Sequence, residues 1–324
     1  MHSGSTRPTT TGSTVLAAVR GACYRHRMAM SDNLKGAGLM MTAMAGFTLN
    51  DVCIKALAGD LPLMQVIFLR GVLTSSLIAI AAWWMGALSF AIPPADRRLI
   101  AIRCVAEAAA AWFFLTALYH MPIANLTAIL QALPLVVTLG AALVFGEQVG
   151  WRRMTAILAG FTGVLLIVRP GTEVFSIYSV LGVLTVLCAA VRDLVTRRLS
   201  RDVPSLTVTL FTAIAVAMLG LVLGLREDWQ MPNAREASLI GGAALLVLGA
   251  YLTIIMAMRV GEISFVAPFR YTGLLVAIVA GLIVFGEFPD LLTWVGSGIV
   301  VASGLFAFWR ERRLSLPRPR VPPR

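Results

Sequence analysis

Apolar runs cut at short intervals by prolines, glycines and arginines fill the chain from about residue 36 to 310. Ten of these runs are long enough to cross the ~30 Å hydrocarbon core of a bilayer as helices. They cover roughly 36–57, 63–85, 98–118, 122–145, 150–168, 176–196, 205–225, 236–258, 263–285 and 290–309. Pro62, Pro93-Pro94, Pro122, Pro170-Gly171, Pro204 and Pro232 punctuate the connections, which are all short. The pattern predicts an all-α polytopic membrane protein with ten transmembrane helices and no soluble domain.

The pattern also repeats. Ala117–Glu147 aligns without a gap on Ala257–Glu287, 140 positions later, and both copies end in Val-Phe-Gly-Glu. Asp51, Lys55, Leu57, Asp60 and Pro62 recur 142 positions later as Asp193, Arg197, Leu199, Asp202 and Pro204. The chain therefore divides into two related halves, residues 36–168 and 176–309, of five spans each. Five is odd, so the halves enter the membrane in opposite directions. An inverted repeat about a midplane site is how many secondary transporters achieve alternating access.

Composition narrows the class. Hydrophobic residues make up 58% of the chain and charged residues 13%, with a mean hydropathy of +0.84, where a soluble domain carries about 25% charged residues. The net charge of +11 argues little for nucleic acid, because the basic residues sit in the tails and short loops. Arg97, Arg98, Arg152, Arg153, Arg197, Arg198, Arg201 and Arg259 fall in the even-numbered loops, against Arg169, Arg226 and Arg235 in the odd-numbered ones. The positive-inside rule then places both termini in the cytoplasm of an inner-membrane protein. Residues 1–35 read as a basic, disordered cytoplasmic tail, and 310–324 as a second basic tail. Met28 and Met30 offer alternative translation starts. Cys23, Cys53, Cys104 and Cys188 are far apart, and His2, His26 and His120 are the only histidines. Neither a metal site nor a cofactor is expected.

Polar residues inside the spans supply the candidate site. The first span has Asn50, Asp51 and Lys55; the second Gln65 and Arg70; the third Arg103, Glu107 and Trp112; the fourth Asn125 and Gln131. The sixth has Arg192, Asp193 and Arg197, and the ninth Arg270 and Tyr271. Asp51 with Lys55, Arg103 with Glu107, and Asp193 with Arg197 are spaced to pair along one helical face, and Lys55, Arg103 and Arg197 read as such internal pairs near the interfaces. Arg70 and Arg270 have no acid at i±3 or i±4, so each needs a partner from another helix or from a substrate. Gln131 and Tyr271 occupy the same repeat position and are expected to flank a central cavity. Trp112 either stacks on a planar substrate or packs in the core. Substrate contacts are expected from Asp51, Arg70, Glu107, Trp112, Gln131, Asp193, Arg270 and Tyr271. Asp51, Glu107 or Asp193 is a candidate carrier of a coupling proton. Glycines stripe spans five, eight and ten, for close helix packing or dimerisation through the last helix.

A ten-span inverted repeat with two copies ending in Phe-Gly-Glu resembles the drug/metabolite transporter superfamily, in its two-EamA-domain branch, over residues 36–310. Asn50-Asp51-Val-Cys-Ile-Lys55, Ala267-Pro268-Phe269-Arg270-Tyr271 and Gly286-Glu287-Phe288-Pro289-Asp290 are similar to the S-adenosylmethionine uptake proteins. Riboflavin importers belong to the same broad group. The resemblance implies a solute carrier with its site between the halves, for a planar, partly polar metabolite of the riboflavin or S-adenosylmethionine class. An exporter of amino acids or toxic metabolites has the same fold. A membrane-embedded enzyme is the remote alternative, and the spans hold no HExxH or GxSxG. The second half has Gly261-Glu262 where the first has Met121-Pro122, so the two gates are not expected to be equivalent.

Overall fold

The computed structural model describes residues 11–84, 86, 92–147, 149–172, 175–200 and 203–315. Among them are ten helices long and apolar enough to cross a membrane, and no strand. They are α1 (Thr11–Lys55), α2 (Leu63–Trp84), α3 (Pro94–His120), α4 (Ile123–Phe145), α5 (Trp151–Val168) and α6 (Ile177–Thr196), followed by α7 (Ser205–Gly224), α8 (Ala234–Val260), α9 (Ile263–Val266 continuing through Thr272–Phe285) and α10 (Leu291–Ser315). Apart from the tail-side ends of α1 and α10, the expected span ends are met to about one helical turn.

The tail is a correction. Residues 11–35, read from sequence as disordered, continue α1 as one helix. Ala, Leu, Met and Arg, all good helix formers, are frequent there, and no proline falls between Thr11 and Lys55. Asn33 also ties this end to the bundle, its side-chain oxygen accepting from Glu262 N–H at 2.8 Å. Helix α10 likewise continues to Ser315. Residues 1–10 and 316–324 lie outside the described residues.

The halves are interleaved. The main packing partner of α1 is α8, and that of α3 is α6; α2 packs on α7, α5 on α10 and α4 on α9. Each pair joins one helix from each half, and exchanging the halves maps this set onto itself. The core is therefore the interface between repeats. Close approach at α5–α10 depends on glycine: a Cβ on Gly163 would lie 2.8 Å from Gly296 O, and one on Gly296 2.6 Å from Gly163 O. The last helix thus uses part of its small-residue stripe inside the chain.

With ten alternating spans, both termini leave the same face, here called the terminal face; the other is the distal face. The largest apolar cluster lies toward the distal side, with Ile54, Leu57, Ile67, Leu115, Leu118 and Ile123 fully buried. Ile80, Val105, Leu143, Leu158 and Ile283 point outward, as helices solvated by lipid require. Trp83, Trp84 and Trp151 are exposed near the terminal face, at the headgroup level where indole rings concentrate.

Candidate functional site

Two helices break at equivalent positions. In α4 the pieces Ile123–Leu130 and Leu133–Phe145 are separated at Gln131-Ala132. In α9 a 3₁₀ turn, Ala267–Tyr271, interrupts the helix. Pro134 and Pro268 account for the breaks, since proline has no N–H to donate and its ring crowds the carbonyl four residues back. Gln131 and Tyr271, 140 positions apart, sit at the two breaks. Tyr271 is buried with its hydroxyl unpartnered and packs against Gly304 of α10.

Between the breaks lies a belt of charge. Asn50 Nδ2 donates to Asp51 Oδ1 at 2.8 Å, and Arg70 Nη1 donates to Asn50 Oδ1 at 3.2 Å. Arg192 donates through Nη1 to Glu107 Oε2 at 2.9 Å and through Nε to Asp193 Oδ1 at 2.8 Å. Arg270 has Asp193 and Arg192 as electrostatic neighbours, and Tyr251 has Glu107, Arg192 and Arg70. Helices α1, α2, α3, α6, α8 and α9 therefore contribute to one polar layer inside the bundle. Asp51, Arg70, Glu107, Asp193 and Arg270, expected from sequence, are all in it. Arg192 holds it together by bridging two acids.

A cavity of about 150 Å³ opens beside this layer, lined among others by Arg70, Thr74, Glu107, Thr212, Val216 and Tyr251. Phe47 meets Tyr251 edge to face at its wall, ring centres 5.2 Å apart. The expected residues divide: Arg70 and Glu107 line the cavity, while Asp51, Asp193, Arg270, Gln131 and Tyr271 stand behind it or at the helix breaks. Trp112 does not reach it; it is 39% exposed and stacks on Phe113 at 5.5 Å. Tyr251 and Thr74 were not anticipated. Tyr251 was discoverable as a lone phenol in the apolar run of α8, but a threonine in a helix commonly bonds its own backbone and gives no signal.

The i, i+4 pairs are replaced by bonds between helices. Lys55 does not pair with Asp51: its Nζ donates to Glu287 Oε1 and to Met121 O, both at 2.6 Å. Glu287 Oε2 accepts from Ile123 N–H at 3.1 Å, and the Phe285 ring lies 5.2 Å from Nζ. Arg197 does not pair with Asp193: its Nη2 donates to Glu147 Oε1 at 3.0 Å, with the Phe145 ring 5.7 Å away. Arg103 bonds Thr196, not Glu107. Spacing along one helix states which groups can meet, and a carboxylate on a neighbouring helix, better aimed, displaces that option.

The two new pairs are repeat equivalents. Lys55 corresponds to Arg197, Glu287 to Glu147 and Phe285 to Phe145. Gly146 and Gly286 end their helices with φ of 67° and 66°, a left-handed conformation that favours glycine and turns the following glutamate across to the other half. Their surroundings differ. On the distal face the Lys55 and Glu287 side chains are 9% and 24% exposed; on the terminal face Arg197 and Glu147 are 50% and 47% exposed. Further bonds knit the distal loops: Arg169 to Asp290, Arg235 to Asp60, and Gln65 to the Gln230 backbone in both directions.

Comparison with known proteins adds the family. Residues 34–169 and 176–309 each match the EamA-like transporter family. The chain is 35% identical over 199 residues to the riboflavin transporter of Vibrio cholerae, covering 61% of this chain and 66% of that protein. It is 26% identical over 197 residues to the S-adenosylmethionine uptake transporter of Rickettsia prowazekii, covering 59% of this chain and 65% of that protein. These matches span about two thirds of each relative. A protein of known crystal structure, 20% identical, shares the fold with a TM-score of 0.61 over 87% of this chain and 99% of its own. With both halves of the bundle matched, the chain belongs to the EamA-like transporter family.

Proposed function

We propose that this chain is an inner-membrane secondary transporter that moves a small planar polar metabolite, of the riboflavin or S-adenosylmethionine class, by alternating access. One observation carries the reading: two repeat-equivalent ion pairs, each joining the halves, lie on opposite faces in different states. Lys55–Glu287 is tight and mostly buried, whereas Arg197–Glu147 is half-exposed. An inverted repeat can exchange these states by rocking one half against the other. In this state the distal gate is shut and the cavity lies on the terminal-face side of it.

The cavity volume agrees with a contracted state. At about 150 Å³ it is smaller than the ~300–1,000 Å³ typical of small-molecule sites, so loading requires the halves to separate. The breaks in α4 and α9 supply hinges where backbone bonding is already interrupted. The relatives named for riboflavin and S-adenosylmethionine support a substrate of that size and planarity.

The test is uptake of radiolabelled riboflavin and S-adenosylmethionine, in parallel, by cells lacking their own importers. Uptake of one, lost in Lys55→Glu and in Glu287→Lys and regained in the charge-swapped double variant, is the expected result. Wild-type rates in both single variants would remove the pair as a gate. Uptake of neither compound, with the protein inserted in the membrane, would overturn the substrate class.

A further inference from the structure

We infer that Arg70 and Thr74, one turn apart on α2, are the specificity-determining edge of the cavity and select an uncharged ring that presents carbonyl acceptors over a cationic substrate. The inference rests on the transporter reading above and names the chemistry its site prefers.

Several polar groups on the cavity wall are already engaged. Glu107 is taken by Arg192, and Thr212 donates to carbonyls of its own helix. Two donors remain. Arg70 uses one arm on Asn50, but its Nε is buried without a partner, and Thr74 Oγ1 is buried without a partner as well. Many helical threonines here are satisfied by their own backbone. Thr42, Thr116, Thr162, Thr185, Thr209 and Thr253 each donate to the carbonyl four residues back. Thr74 does not: its hydroxyl is buried without a partner on a residue that lines the cavity.

Residues four apart on a helix share a face, so the two donors present one edge. Its register is fixed by the backbone between them: a Cβ on Gly71 would lie 2.8 Å from Ala217 Cβ on α7, so α2 seats tightly there. Buried donors without acceptors are disfavoured, and the group that completes them is an acceptor brought by the ligand. A flavin-type imide, with two ring carbonyls flanking an N–H, offers two acceptors on one edge. A sulfonium or ammonium cation would instead meet Arg70, while each acid of the layer is already engaged: Asp51 by Asn50, and Glu107 and Asp193 by Arg192.

Concentration-dependent uptake of labelled riboflavin tests this, in cells expressing wild type, Thr74→Val, Arg70→Lys or Arg70→Gln, with membrane-inserted protein measured in each. Thr74→Val keeps shape and removes only the donor. It is expected to raise KM about tenfold, the loss of about one neutral hydrogen bond, with the maximal rate little changed. Both Arg70 variants are expected to raise KM at least as much. Lumichrome, which keeps the imide ring and lacks the ribityl chain, should compete with riboflavin in wild type and lose potency by the same factor in Thr74→Val. Riboflavin uptake with KM unmoved in Thr74→Val and Arg70→Gln overturns the inference and leaves the transporter reading intact. Uptake of S-adenosylmethionine without riboflavin also overturns it, since a cation would then be preferred. Uptake of neither overturns this inference together with the substrate class proposed above.

Discussion

At the scale of single residues, what a charge does here is set by which helix faces it. Lys55 bridges to Glu287 and Met121, so removing it strands a carboxylate in a mostly buried setting. Lys55→Ala is expected to cost about 3 kcal/mol, near the low end for breaking a buried pair, because Glu287 keeps the Ile123 N–H bond. Arg197→Ala, at the equivalent half-exposed pair, is expected to cost no more than about 1 kcal/mol. Thermal unfolding of the two variants in detergent checks the contrast; equal losses would mean that the distal pair is not the tighter gate. Arg192 is the keystone of the polar layer. Substituting it frees Glu107 and Asp193 together, so Arg192→Ala should impair folding and transport more than either acid-to-amide variant.

At the scale of elements, the two broken helices set the geometry of the site. Pro134 and Pro268 place the interruptions next to Gln131 and Tyr271, and a proline inside a helix costs about 3 kcal/mol relative to a continuous one. Pro268→Ala allows α9 to close its hydrogen bonds through the 3₁₀ turn. The variant should be at least as stable as wild type and transport at least several-fold more slowly, as an element that must bend becomes straight. Measuring melting temperature and maximal uptake rate together distinguishes this from simple misfolding, in which both would fall. Sequence showed the repeat position of the break, since Gln131 and Tyr271 align. It did not show that the helices break there, because the prolines themselves fall at different repeat positions.

At the scale of the whole molecule, the halves share one core, and every principal helix contact crosses between them. Neither half is expected to fold alone. By the positive-inside rule the loop arginines predict cytoplasmic termini, and the closed distal face is then expected to be periplasmic. Reporter fusions check this. An alkaline phosphatase fused after Arg324 should be inactive and one inserted at Asp228, in a distal loop, active; the reverse pattern would invert the assignment of inner and outer gates.

Much of the architecture was legible from residue order. Span lengths follow from bilayer thickness, and the ten helices fall where the apolar runs placed them. The inverted repeat follows from two alignments and the oddness of five. Membrane-depth charge also pointed to Asp51, Arg70, Glu107, Asp193 and Arg270, which meet partners on other helices or beside them in the chain, because charges in hydrocarbon must find partners. The partners themselves were not legible. Lys55 turning to Glu287, Arg197 to Glu147, Trp112 facing outward and Thr74 standing unpaired at the cavity wall are all decided by how helices from opposite halves are rotated and seated. That seating depends on contacts 50 to 232 positions apart in the chain. A one-dimensional pattern records the period of each helix; only the packed bundle determines which neighbour each face meets.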